Sequence, residues 1–318
     1  MNAGVAEQIS PVRDGLKLLL EAAVVDGTVV QQNVSLAELT TLRVGGQADW
    51  FAEPQSQGDL SALVRACREH GLPLTVLGLG TNFLVLDSGV RGLTVRLSAG
   101  MFAGIEACGC RLKCGALARM KKVATEAKRC GLAGMEFLEG IPGSIGGGLR
   151  MNAGAMGSEI FDLVVMVRFM DPAGEVFEMP AESIESRYRS CPLLKNQIAL
   201  GAVLMGEPDT SEGIAARMTE YSKKRWSSQP KARSAGCIFK NPEGIPAGKL
   251  VDELGLKGAI EGDAMVSQEH GNFIVNNGDA TAGDILRLID RIRDRALGEH
   301  GIELQTEVQI IGREDGRV

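Results

Sequence analysis

Three short segments place reactive or charged groups among apolar residues and glycines. In Arg187-Tyr-Arg189-Ser-Cys191-Pro192 two arginines flank a tyrosine, and guanidinium forks pair with carboxylates or phosphates through two parallel hydrogen bonds. On composition alone the simpler reading of these six residues is a solvated turn after a short helix at 181–186. In Ser234-Ala-Gly-Cys237-Ile-Phe-Lys-Asn-Pro242 a thiol lies beside a glycine and an apolar pair. With a reference pKa of about 8.5, Cys237 could donate a proton near neutral pH, act as a nucleophile, or be inert packing. Glu307 lies in Ile302-Glu-Leu-Gln-Thr-Glu-Val-Gln-Ile310. On an alternating strand, Glu303, Gln305, Glu307 and Gln309 would share one wet face.

Two glycine clusters could hold a ligand against these groups. The stretch 134–148 carries six glycines and Pro142 in fifteen residues, a density that helices and strands do not tolerate. Backbone N–H groups on such a turn form a concave anion site suited to a dinucleotide's pyrophosphate. Ile141, Ile145 and Leu149 give it apolar anchors that a flexible linker would lack. The second cluster, Leu77-Gly-Leu-Gly-Thr-Asn82, lacks the third glycine of the dinucleotide fingerprint, so a Rossmann unit is not expected. Gly244-Ile-Pro-Ala-Gly-Lys249 has neither the spacing nor the hydroxyl residue of a phosphate-binding Walker loop.

The elements that must position these segments belong to a globular chain of 318 residues, 44% of them hydrophobic, enough for two or three cores. A net charge of −6 disfavours nucleic acid as the main partner. No apolar run approaches the length of a membrane span, and 1–10 has no basic start leading into an apolar stretch, so the cytoplasm is expected. Seven cysteines, an odd number, fit a reducing compartment. Cys108, Cys110 and Cys114, with Cys130, invite a metal reading. His70, His270 and His300 lie in separate segments, however, so buried or half-buried thiols and no metal are expected.

Periodicity predicts a short amphipathic helix over 11–23, a strand at 48–52, a helix at 59–70, and strands at 74–77, 83–86 and 93–97. A second unit opens with a helix at 116–129. It continues with a hairpin, 162–170 and 175–179, about the turn Asp171-Pro-Ala-Gly174, and a strand at 197–205. After a polar stretch at 206–211 come helices to Trp226, at 249–254 and at 280–300, with strands at 272–276 and 302–311. Short strands alternating with helices make the fold class α+β.

With these pieces in order, the chain resembles the UDP-N-acetylenolpyruvoylglucosamine reductases. Seven motifs carry the likeness over 33–312: Thr40-Thr-Leu-Arg-Val-Gly-Gly46, Leu77-Gly-Leu-Gly-Thr-Asn82, Gly140-Ile-Pro-Gly-Ser-Ile-Gly-Gly147, Asn152-Ala-Gly-Ala155, Tyr188-Arg-Ser190, 234–242 and Asn272-Phe-Ile-Val-Asn276. The resemblance implies a vanillyl-alcohol-oxidase-type FAD-binding domain at 31–206, in two α+β subdomains split near 98. It also implies a smaller substrate-binding domain at 207–318 whose last strand returns to the flavin, with 1–30 as an N-terminal extension. Non-covalent FAD would contact Arg43, Gly78, Leu79, Gly80, Thr81, Asn82, Phe83, Gly140, Ile141, Pro142, Gly143, Ser144, Gly146, Gly147, Asn152, Ala153 and Gly154. NADPH would be the reductant and the enolpyruvyl ether of UDP-N-acetylglucosamine the substrate, in a monomeric enzyme of peptidoglycan synthesis. By the same likeness Arg189 and Glu307 would stabilise the developing enolic carboxylate and Cys237, where relatives often carry serine, would donate the proton. Tyr188, Arg225, Lys231, Lys240 and Asn241 would touch substrate. Met156 stands where relatives often place tyrosine, and no insertion follows Ser190 to supply the capping tyrosine loop of the longer type.

Overall fold

The computed structural model describes residues 10–97 and 99–312, with the side chains of 10–14, 99 and 101 left aside. The expected subdomain split near 98 falls on a residue outside the described ones, as do 1–9 of the N-terminal extension. Helices and strands intermix along the chain as an α+β fold.

The first sheet runs in the order Val30–Ser35, Gln47–Ala52, Val90–Arg96, Leu74–Leu77. Its last three strands are mutually parallel, and helix Gln57–Glu69 covers it with Leu60, Leu63 and Val64. The N-terminal helix Ser10–Ala23 packs here too: Leu20 is fully buried in that core. The second sheet is antiparallel throughout, in the order Val176–Pro180, Val164–Met170, Ile198–Met205, Arg111–Gly115, Ile105–Cys108. A third antiparallel sheet joins Arg233–Cys237, Phe273–Asn276, Ala264–Val266 and Ile260–Glu261, packed by helix Ala282–His300. Thr281 and Asp284 form a reciprocal capping box at that helix's start, and Gly301 ends it in the left-handed conformation.

Four segments differ from expectation. The glycine-rich 134–148, expected to be neither helix nor strand, holds a 3₁₀ helix, Glu136–Gly140, and the start of an α-helix, Ile145–Met151, where Gly146 and Gly148 pack closely against Ala116 and against Met120 and Ile160. In the other three, tertiary bonds take up the backbone. The helix expected at 116–129 begins at Met120. Ala116 N–H and Leu117 N–H donate to Leu200 and Phe102, while the Ala116 and Ala118 carbonyls accept from Gly146 and Ile145. That stretch is therefore a bracket for the long glycine loop. The helix expected at 181–186 is a single 3₁₀ turn, Ala181–Ser183. The strand expected at 302–311 is regular only at Gln309–Ile311, which pairs in parallel with Phe83–Val85. Upstream, Lys240 N–H donates to the Gln305 carbonyl and Glu307 N–H to Ile238, so this segment hugs the third sheet. Leu304 and Val308, four apart, are both buried, as alternation places them; the opposite face is exposed at Glu303 and Gln305 but covered at Glu307, which lines the cleft.

Cys108 and Cys110 are exposed on the hairpin joining the edge strand Ile105–Cys108 to its neighbour Arg111–Gly115, whereas Cys114 points into the core, so the three thiols do not converge. Burial pushes the thiols of Cys67 and Cys114 up to about 11 and about 12. A water-soluble disulfide reagent is therefore expected to label Cys108 and Cys110 rapidly in the native protein, and Cys67, Cys114 and Cys191 only after unfolding. Mass spectrometry of labelled peptides checks this, and fast labelling of Cys114 would contradict the packing. Among the described residues no helix is long and apolar enough to cross a membrane.

Candidate active site

A cleft of about 530 Å³ gathers the two glycine clusters, the arginine turn, the thiol and the carboxylate. The two glycine segments lie against each other: a Cβ on Gly78 would come 3.3 Å from Ser144 Oγ, and one on Gly143 3.3 Å from Thr81 Oγ1. Gly80, with φ +65°, fits only because it has no side chain: a Cβ there would lie 2.1 Å from the Leu39 carbonyl oxygen. Gly78, Gly140 and Gly147 are different. A Cβ at these positions would meet no protein atom closer than 3.3 Å, so packing does not demand glycine there. What their missing side chains preserve is room in the cleft and open access to backbone, the condition for a phosphate-bearing ligand to lie against the loops. FAD fits that space.

Cys237 ends strand Arg233–Cys237, whose register against Phe273–Asn276 shifts between Ser234 and Cys237. Gly236, at φ +78°, makes this irregularity possible and re-aims the thiol into the cleft. Asn272 fixes the chain two residues on by accepting from Phe239 N–H at 2.8 Å and donating to the Phe239 carbonyl at 2.7 Å. Burial, reinforced by the nearby Glu307 charge and opposed by Arg189, pushes the Cys237 thiol up to about 12. It stays protonated through the neutral range.

Arg189 occupies a turn closed by reciprocal backbone bonds between Arg187 and Ser190, at φ +54°, a conformation non-glycine residues rarely hold. Asn152, itself at φ +41°, holds this turn by donating to the Arg187 carbonyl, and its side chain also bonds Glu159 at 2.6 Å. The Arg189 guanidinium donates to the Gly154 carbonyl and lies 5.2 Å from the Tyr188 ring. Its Nε is 2.9 Å from Glu307 Oε1, an ion pair whose N–H is angled off the carboxylate and left without a directed acceptor. Glu307 is held in place by Asn82, whose amide donates to the Glu307 carbonyl at 3.1 Å. Burial raises the Glu307 pKa; Arg189 and Lys240 pull it down, and burial prevails.

Of the residues singled out from sequence, Gly78 to Phe83, Gly140 to Ser144, Gly147, Ala153, Gly154, Arg189, Arg225, Lys231, Cys237 and Glu307 line the cleft. Six others do not. Arg43 is exposed, with φ +59°, and its carbonyl accepts from Asn276. Gly146 packs on Ala116, where a Cβ would sit at 3.0 Å. Asn152 is buried behind the arginine turn and Tyr188 stands outside it. Lys240 reaches the site through its charge on Glu307, and Asn241 accepts from Ala247 N–H at a helix start. Thr41, Arg150, Trp226 and Phe273 line the cleft without having been singled out for it. Thr41 had a signal, since it lies in the first motif, and its hydroxyl donates to the Ser234 carbonyl at 2.7 Å.

Matching against known proteins agrees with this geometry. A model of the FAD binding domain matches 48–180, and one described as the C-terminal domain of UDP-N-acetylenolpyruvoylglucosamine reductase matches 229–311. A UDP-N-acetylenolpyruvoylglucosamine reductase from Paramagnetospirillum magneticum is 44% identical over 278 residues, 87% of this chain and 90% of the relative. The chain belongs to the UDP-N-acetylenolpyruvoylglucosamine reductase family. A second reductase, from Caulobacter vibrioides, is 41% identical over 88% of this chain and 93% of its own length. The crystal structure of the reductase from Thermus caldophilus superposes with a TM-score of 0.79 at 38% identity, covering 90% of this chain and all of that one. The glycine loops at 78–82 and 140–144 lie inside the matched FAD-binding region. The thiol and the carboxylate lie inside the matched C-terminal domain, so the cleft is the seam between the two.

Proposed function

We propose that this chain reduces the enolpyruvyl ether of UDP-N-acetylglucosamine enolpyruvate to UDP-N-acetylmuramate. It would act in the cytoplasm as a monomeric, NADPH-dependent flavoenzyme of peptidoglycan precursor synthesis. The observation that carries the reading is the meeting of a protonated thiol, a guanidinium and a buried carboxyl in a cleft that the two glycine segments also line. FAD, when bound along the loops at 78–82 and 140–147, supplies the hydride and is recharged by NADPH.

The protein's part is to manage charge. Hydride arriving at the methylene carbon of the enolpyruvyl group leaves negative charge on the neighbouring carbon and its carboxylate. Arg189, fixed by its turn and by the Gly154 carbonyl, presents a cation where that charge develops. Glu307, raised by burial, can hold its proton and donate a hydrogen bond to the same carboxylate. Cys237 Sγ gives its proton to the carbon, forming a C–H bond as the S–H bond breaks, and the thiolate recovers a proton from solvent. The test is an anaerobic half-reaction. Flavin reduced by NADPH should reoxidise promptly on addition of the enolpyruvyl substrate, with the muramate product formed in equal amount. Flavin that stays reduced would overturn the reading and favour an oxidase or a redox sensor.

A further inference from the structure

The chain has two tryptophans, and they are placed in opposite ways. Trp50 is buried in the first core at 3% exposure; Trp226 stands 48% exposed at the rim of the cleft. It is the last residue of helix Ser211–Trp226, whose buried anchors are Ile214 and Met218, so the indole does not serve that helix's packing. Two cations attend it: Arg225 Cζ lies 4.8 Å from the ring centroid and Lys231 Nζ 5.7 Å. Arg225 is tied by one nitrogen to the Gly140 carbonyl at 2.7 Å, and its Nε is buried without a partner among the described residues. A flat aromatic surface beside two cations and an unspent N–H matches a nucleotide: phosphates on the cations, base on the ring.

We infer that Trp226 is the stacking platform for the base of the substrate's nucleoside diphosphate, with Arg225 and Lys231 holding the diphosphate. The inference rests on the proposed reductase reading, because it takes the reacting end of the substrate to lie at Cys237. From there the wall is one continuous segment: residues Gln229 to Cys237 all line the cleft, with Trp226 at its far end. The six residue steps from Lys231 to Cys237 span at most about 20 Å, the scale of a nucleotide sugar. A molecule whose enolpyruvyl group meets the thiol therefore presents its diphosphate to Arg225 and Lys231 and its base to Trp226. The room left by Gly78, Gly140 and Gly147 adjoins Arg225 through the Gly140 carbonyl and is kept for the flavin, so the two ligands would lie side by side in the cleft.

The experiment titrates UDP, and separately inorganic pyrophosphate, into the FAD-loaded holoenzyme and its W226A and W226F variants by calorimetry. The FAD content of each protein is measured alongside. W226A is expected to weaken UDP about tenfold or more, W226F to keep most of the affinity, and pyrophosphate binding and FAD content to change little. UDP should also quench tryptophan emission in the wild type and not in W226A. Unchanged UDP affinity in W226A overturns the inference. An equal loss for UDP and pyrophosphate overturns it too, since the ring would then act only by holding the cations. Loss of FAD in place of UDP would assign the ring to the flavin's adenine. Wild-type holoenzyme that fails to bind UDP at all would instead overturn the reductase reading.

Discussion

Replacing Cys237 by alanine is expected to slow reoxidation of the reduced flavin by the enolpyruvyl substrate about a hundredfold to ten-thousandfold, the range for loss of a positioned proton donor. Reduction of the flavin by NADPH should stay close to the wild-type rate, because no proton from the thiol enters that half-reaction. Cys237→Ser should remain active, since a hydroxyl also carries its proton across the neutral range. Stopped-flow absorbance of the two half-reactions separates the cases. Equal loss in both would show that the substitution damaged the cleft and that the thiol is not the donor. The pH dependence has a defined sign. The thiol's value is raised from 9.0 to about 12, so its protonated form is favoured in the folded state. Any contribution to stability is then full below 9.0 and is lost as pH climbs toward about 12, and Cys237→Ser should flatten that alkaline loss.

The parts of this site that were legible in the sequence are those in which residue type alone restricts the chemistry. Glycine density at 134–148 pointed to close approach but not to the right local structure, since Glu136–Gly140 is a 3₁₀ helix and Gly146, Gly147 and Gly148 lie in helix Ile145–Met151; Gly78, Gly140 and Gly147 leave room that packing does not require. Strands and helices with clear periodicity were also readable, such as Gln57–Glu69 and the hairpin about 171–174. What was not legible depends on partners distant in sequence. The backbone of 116–118 is spent on 102, 145, 146 and 200, which no local pattern reveals. The segment 302–308 keeps its strand-like alternation, with Leu304 and Val308 buried, but its backbone bonds go to 238–240, partners that alternation does not identify. Glu307 illustrates the difference most sharply. Read locally it belongs on a wet face, and only the return of 309–311 to 83–85, with Asn82 grasping its carbonyl, delivers it to the thiol and Arg189. Asn152 and Asn241 show the reverse: the motifs that hold them contain groups that orient the site or cap a helix without lining the cleft.

Arg189→Ala is expected to lower kcat for enolpyruvyl reduction by about a hundredfold to a thousandfold, the effect of removing one charge-stabilising donor from a closed site. Arg189→Lys should recover little of this. The guanidinium reaches Gly154 through one nitrogen and Glu307 through another, and an ammonium on a flexible stem cannot make both contacts from a backbone fixed at φ +54°. Glu307 separates two ways in which the pair could act. Burial raises its pKa in spite of Arg189, which favours a proton on the carboxyl when the substrate's own carboxylate arrives. If that proton is what the reaction uses, Glu307→Gln, neutral and still a donor, should retain more activity than Glu307→Ala. Wild-type turnover should then decline on the alkaline side as Glu307 ionises, a limb that Glu307→Gln would lack. If the carboxylate form is the active one, the glutamine variant should be as inactive as alanine and the wild-type limb should reverse, with activity falling as pH drops. Pre-steady-state pH profiles of wild type and Glu307→Gln distinguish the two. The geometry favours the first, because an ionised Glu307 beside a substrate carboxylate would place two anions on one guanidinium in a cleft with little water to screen them.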